Sequence, residues 1–173
     1  MGGTTRASLV AKLAAAIVVA ALGVALLPGL AGAHTFDAYR KERRHLKYRA
    51  KSQIGAPYRY GGATTKGFDC SGFTRWVFRR HGSTLPHSSI EQFRLPRRRP
   101  HALRIWSRRK LAMGDLVFHK TSEARVGHVG IYIGRGKFIS STSSNGVRVR
   151  SVWDRYYWGP RWVGAVRLRV TQP

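Results

Sequence analysis

The spacing of apolar residues along the chain changes character three times. Leu13 to Leu27 is an unbroken apolar run of 15 residues. Between 36 and 54, Leu46, Ala50 and Ile54 recur every four residues among charged side chains, which predicts a helix with one apolar stripe, ended by Gly55 and Pro57. From Cys70 a second helical pattern runs through Phe73, Trp76 and Val77, with Asp69 placed as its N-cap and Gly82 near its C-terminal end. Beyond residue 113 the period falls to two. "GDLVF" reads as a turn and a buried strand, which makes Asp115 a structural acid. In "HVGIYIG" (128 to 134), Val129, Ile131 and Ile133 alternate with His128, Gly130 and Tyr132, so a strand puts the aliphatics on the core face and His128 on the other. A Gly134-Arg135-Gly136 turn leads to "KFISST" as its hairpin partner, and "VRVRSVW" (147 to 153) and "WVGAVRLRV" (162 to 170) alternate apolar residues with arginine. Two helices followed by about five antiparallel strands predict an α+β domain.

The N-terminal run has the layout of an export signal. Arg6 and Lys12 precede it, Pro28 and Gly29 break it, and "AGA" at 31 to 33 supplies small residues for cleavage. Residues 1–33 are therefore expected to be removed, leaving 34–173 as one domain secreted from the cytoplasm, extracellular or periplasmic. Fifteen residues are marginal for spanning a bilayer, so no stable span is expected after cleavage.

Composition adds a strong constraint on partners. The chain carries 32 Lys+Arg against 7 Asp+Glu, a formal charge of +25. Residues 94 to 110 ("RLPRRRPHALRIWSRRK") hold eight of these cations and no acid, with prolines that argue against a long helix. Such a block suits a polyanion. Export, and the lack of a helix-turn-helix or finger pattern, disfavour nucleic acid and favour anionic envelope polymers. No histidine cluster has ligand spacing, so neither a metal nor another cofactor is expected.

Cys70 is the only cysteine, which in an exported chain excludes an internal disulfide. It is then core filler, an intermolecular bridge or a reactive thiol. Its place in the first turn of a helix favours reactivity, because free N–H groups and the helix dipole there stabilise a thiolate. A thiolate nucleophile needs an acid–base partner. Among the histidines, His34, His45 and His101 have bland surroundings, His81 ends the cysteine helix, His87 lies in a proline-bounded loop and His119 closes a strand. His128, on rigid sheet beside a glycine, suits a positioned base.

"GAPYRYGG" (55 to 62), "GFDCSG" (67 to 72), "LPHSSIEQ" (85 to 92), "MGDLVF" (113 to 118) and "GHVGIYIGRGKFI" (127 to 139), in that order, resemble the NlpC/p-sixty family of papain-like cysteine peptidases that cut bacterial cell-wall stem peptides. The likeness covers about Tyr48 to Val170. It implies a papain-like fold, Cys70 as nucleophile and His128 as base. It also implies that Tyr58, Asp69 and Ser71 line the site and hold the amine end of a peptidoglycan stem peptide. The backbone N–H of Cys70, at a helix start, is a natural oxyanion donor.

Two positions depart from the family pattern. The third polar residue, usually His, Asn or Gln twelve positions after the base, is Ser140 here, a short and weak orienter that takes the role provisionally. His87 stands where relatives often have arginine, and reads as a surface variation. The expected function is hydrolysis of the bond between D-glutamate and a diamino acid through a Cys70 thioester. The alternatives are a Cys/His N-acetylmuramoyl-L-alanine amidase and an inactive papain-like module that only binds the wall.

Overall fold

A computed structural model of the chain describes residues 29–121, 123 and 125–168, with side chains from residue 40 onward. The apolar run expected to form the export signal lies outside the described residues. So do the last residues of the final predicted strand, 169 and 170. The chain divides into two compact units, Met1–Ala38 and Tyr39–Pro173, and the second is described below.

Helix α1 spans Gly29–Lys51. A short ribbon of β1 (Ala63–Thr64) and β2 (Gly67–Phe68) precedes α2 (Cys70–Arg79), and α3 (Ser89–Arg94) follows. The main sheet contains β3 (Ala102–Ile105), β4 (Leu116–His119), β5 (His128–Gly134), β6 (Lys137–Thr142), β7 (Gly146–Ser151) and β8 (Trp162–Leu168), in the order β3-β8-β4-β5-β6-β7 with antiparallel pairs.

Alternation along the strands builds two cores. Leu116, Phe118, Val129, Ile131, Ile139 and Val166 pack with Leu46 and Ala50 of α1 and Phe73, Val77 and Phe78 of α2. Val117, Phe138 and Ala165 point to the other side, where Val152 and Trp158 bury them. This second face is closed by the β7–β8 connection, so the side of β5 that carries His128 is dry rather than solvated, and His128 is only 6% exposed. At the end of α2, Ser83 N–H reaches Phe78 O just past Gly82, as the position of that glycine predicts.

The main sheet has six strands, one more than expected. The addition is β3, inside the basic stretch 94 to 110, where arginines mask a four-residue strand that pairs with β8. Helix α1 starts seven residues before its predicted limit and stops three short of it. Its charged residues do not all face water: Glu42 and Arg43 are buried.

Both buried charges have partners. Glu42 lies 3.3 Å from His81 Nδ1. Arg43 lies 3.5 Å from Asp115, and Arg167 grips the same carboxylate in bidentate fashion at 2.9 and 2.8 Å, while Ala112 N–H donates to it at 2.8 Å. Asp115 is fully buried and structural, joining α1, β8 and the turn before β4. Replacing it leaves buried cations uncompensated. Asp115→Asn is expected to destabilise the domain by about 3–5 kcal/mol, read as a lower urea midpoint at unchanged m value.

Candidate active site

The site grows from the N-terminus of α2. Asp69 caps this helix in extended conformation, and its Oδ1 accepts from Gly72 N–H at 2.7 Å and from Ser71 Oγ at 2.9 Å. Its Oδ2 accepts from Gly61 N–H at 3.0 Å and lies 2.8 Å from His87 Nε2. One carboxylate thus ties the helix start to the loop after Tyr58 and to the segment before α3. Gly72 permits this approach, since a Cβ there would stand 2.0 Å from Gly62 O and 2.8 Å from His87 Nε2. His87 is therefore part of the site and not a surface variation. The segment carrying it is fixed by Gln92, whose amide donates to Pro86 O and Ser71 O at 2.7 and 3.1 Å.

Tyr58 forms an isolated bridge with Phe68, and its hydroxyl is pushed upward by burial and then by the neighbouring Cys70 and Asp69. The structure accordingly brings Tyr58, Asp69, Cys70, Ser71 and His87 together.

Cys70 behaves differently from the expectation set by its helix position. Its thiol pKa is pushed up to about 11, first by burial and further by the Asp69 carboxylate, with only partial opposition from the backbone N–H groups of Val129, Ser71 and Cys70 itself. Burial outweighs the helix end and disfavours the thiolate. Cys70 packs against the core cluster that contains Val129 of β5, one residue from His128.

His128 opens β5 and faces the second core. Its imidazole pKa is pushed down to about 3 by burial, and then by Arg150. Trp158 covers it, with ring centroids 4.9 Å apart. Asp154 places that tryptophan by accepting from the backbone N–H groups of Tyr157 and Trp158 at 2.6 and 2.8 Å. Gly130 keeps the neighbouring strand close, because a Cβ there would lie 2.6 Å from the Phe138 ring and 3.0 Å from Ser140 Cβ.

Ser140 lies on the same sheet face as His128, as its parity predicts, and is fully buried. Its Oγ and His128 Nε2 are both without a protein hydrogen-bond partner, so the hydroxyl does not hydrogen-bond to the imidazole directly. His119, read as a bland strand end, is directly opposite His128 in the β4–β5 register and equally buried. The signal available in sequence was its parity with Val117, which sets it on the face opposite Leu116 and Phe118. Among the described residues, no group of His, Cys, Asp or Glu side chains has the arrangement of a metal site.

A thiol at a helix start, packed on an antiparallel sheet whose adjoining strand buries a histidine, defines an α+β domain of papain-like architecture. The chain belongs to the NlpC/P60 family, whose model matches residues 55–167. It is 38% identical over 123 residues to the probable peptidoglycan endopeptidase LytE of Bacillus subtilis, covering 69% of this chain and 32% of that protein. It is 41% identical over 116 residues to the murein DD-endopeptidase MepS/murein LD-carboxypeptidase of Escherichia coli, covering 66% and 56%. The chain thus spans about a third to a little over half of these relatives' lengths. In structure it is similar to the NlpC/p60 domain of the peptidoglycan hydrolase SagA, with TM-score 0.60 and 30% identity over 73% of this chain and 98% of that one. RipD of Mycobacterium tuberculosis, described as a non-catalytic NlpC/p60 domain protein, shares the fold at TM-score 0.58 and 21% identity, over 75% and 98% of the two chains.

Iodoacetamide labelling of Cys70 in the substrate-free chain is expected to be slow at pH 7, with a rate that keeps rising through pH 9. A plateau near neutrality would show that the helix end, and not burial, governs the thiol.

Proposed function

We propose that this chain is an exported cell-wall hydrolase that cleaves peptidoglycan stem peptides at the bond between D-glutamate and the diamino acid. The supporting observation is that Cys70, at the start of α2, packs against the core cluster that contains Val129, the β5 residue next to the buried His128. The relatives named as peptidoglycan endopeptidases supply the substrate class.

In this mechanism substrate binding displaces water from the site, and His128 takes the thiol proton as Sγ attacks the scissile carbonyl carbon. The backbone N–H of Cys70 at the start of α2 stabilises the resulting oxyanion. The imidazolium then protonates the departing amine, which leaves a Cys70 thioester. His128 next removes a proton from water as the water attacks the thioester, and the thiol and the free carboxylic product are regenerated. Tyr58, Asp69 and Ser71 line the approach for the amine end of the stem peptide, a carboxylate being suited to an ammonium. Residues 1–33 act as the export signal and are removed.

The basic surface serves attachment to the anionic envelope. Part of the 94–110 stretch is committed to the fold: Arg94 and Arg98 pair with Glu91, and Arg108 donates to Val152 O and Gly159 O. Arg94, Arg97 and Arg104 of the stretch, together with Arg125, line a groove of about 450 Å³ walled by Phe93 and Trp106, and Arg104 is itself stacked on Phe93.

Cys70→Ala is expected to abolish release of stem-peptide fragments from purified peptidoglycan while preserving the circular dichroism spectrum. Mass spectrometry of the digest identifies the bond: products ending in D-glutamate support this reading, whereas intact stem peptides beginning with L-alanine would mean an amidase. A Cys70→Ala protein that still cuts would remove the thioester mechanism altogether.

Sedimentation with purified walls tests attachment. Binding should weaken steeply as salt rises, while cleavage of a soluble stem peptide changes little, because exposed charges are screened within about 10 Å at 0.1 M salt.

A further inference from the structure

Three side chains on one face of adjacent strands bury polar atoms that no protein group satisfies: Nε2 of His128, both ring nitrogens of His119, and Oγ of Ser140. They come from β5, β4 and β6. His119 faces His128 directly across the β4–β5 ladder, with ring centroids 6.4 Å apart and planes tilted by 48°. Around them the ring of Phe138 stacks on His119 at 5.0 Å, and Trp158 and Trp162 meet its edges at 5.1 and 6.0 Å.

Packing alone does not account for a histidine at 119. A phenylalanine would make the same ring contacts without burying two unsatisfied nitrogens, and buried polar groups in folded proteins have partners. The polar atoms lie instead on the buried sheet face that carries the base. One water makes about three hydrogen bonds when buried, which is the number of side chains presented here.

We infer that His119 is a positioning residue: with Ser140 it holds a single buried water against Nε2 of His128. Nε2 then carries the proton and donates it to the water, and Nδ1 is left with the lone pair a base requires. Serine at 140 is too short to reach the imidazole, and the neutral ring of His119, which offers one donor and one acceptor, completes the support from the neighbouring strand. The charged and titratable groups bearing on this pair are Arg150 at His128 and Arg108 at His119, with Cys70 packed against the cluster that contains Val129. Burial keeps both rings neutral, with His119 also pushed down to about 3.

This inference rests on His128 serving as the base, but its first test does not require turnover. Nitrogen-15 NMR of the full chain reports the imidazole tautomer. The wild type should show His128 protonated at Nε2, and His119→Phe should move it to a mixture or to the Nδ1–H form at an unchanged melting temperature. In the second arm, His119→Phe should lower kcat roughly tenfold, short of the ~10²–10⁴ for losing general-base help, with KM held. His119→Gln should recover most of the loss. Ser140→Ala should cost less in the His119→Phe background than in the wild type, since both act through one water. An unchanged His128 tautomer together with unchanged kcat in His119→Phe overturns the inference. If His119→Phe fails to fold, Ser140→Ala must produce the same tautomer change, and its failure to do so overturns the inference equally. A tautomer change in a chain that cuts no peptidoglycan would keep the inference and discard the hydrolase reading.

Discussion

The Asp69 carboxylate is the constraint on which the site depends. Its two oxygens carry about four lone-pair positions, and the structure fills them with Ser71, Gly72, Gly61 and His87. A helix cap alone contributes about 1 kcal/mol; here the same group also joins the Tyr58 loop and the α3 approach to the start of α2. The backbone reinforces the joint, with Asp69 N–H donating to Gly62 O and Phe68 N–H to Pro57 O. Cys70 is held in place because the residue before it is anchored in three directions. The same saturation bears on substrate binding. An ammonium reaching Asp69 must share or displace an existing donor, and only the side-chain donors, His87 and Ser71, can turn away without moving backbone.

Burial then decides the charge state of the reacting groups. The thiol is driven toward its neutral form and so is the imidazole. The helix end and the neighbouring N–H groups oppose this for the sulfur without overcoming it. A thiolate–imidazolium pair between Cys70 and His128 is therefore the unfavourable arrangement. In the proposed mechanism charge separation waits for substrate, and the backbone N–H at the start of α2 then stabilises the oxyanion without reorganisation. A thiol held in its neutral form is also less open to oxidation.

Much of this architecture was legible in the sequence because strict alternation survives in β4, β5 and β6, and because Asp69 and Gly82 punctuate α2 unambiguously. Position 140 could be placed on the His128 face by parity alone. What stayed hidden was tertiary. Nothing local in "RRRPHALRIW" distinguishes a strand from a basic loop, since β3 is defined by its pairing with β8. The dryness of the His128 face depends on Trp158, which arrives from a turn held by Asp154 far along the chain. Helical position predicted a lowered thiol pKa, and only the packing of α2 on β5 shows why it rises. His87 and His119 looked bland because their partners, Asp69 and His128, are distant in sequence.

The acidic residues explain how so basic a chain remains a folded one. Of seven in the sequence, Glu42 pairs with His81, Asp69 anchors the site, and Glu91 holds Arg94 and Arg98. Asp115 compensates Arg43 and Arg167, and Asp154 caps the turn that carries Trp158. Each of these carboxylates has an assigned place in the fold, so they leave little negative charge to offset the surface arginines. The remaining cations repel one another, and that repulsion destabilises the compact state. If the chain attaches to the envelope as proposed, an anionic matrix would lower this cost at the surface it attracts. Adhesion and stability would then be coupled through the same arginines: added acidic surface residues would relieve the repulsion in free solution while weakening the hold on a polyanion.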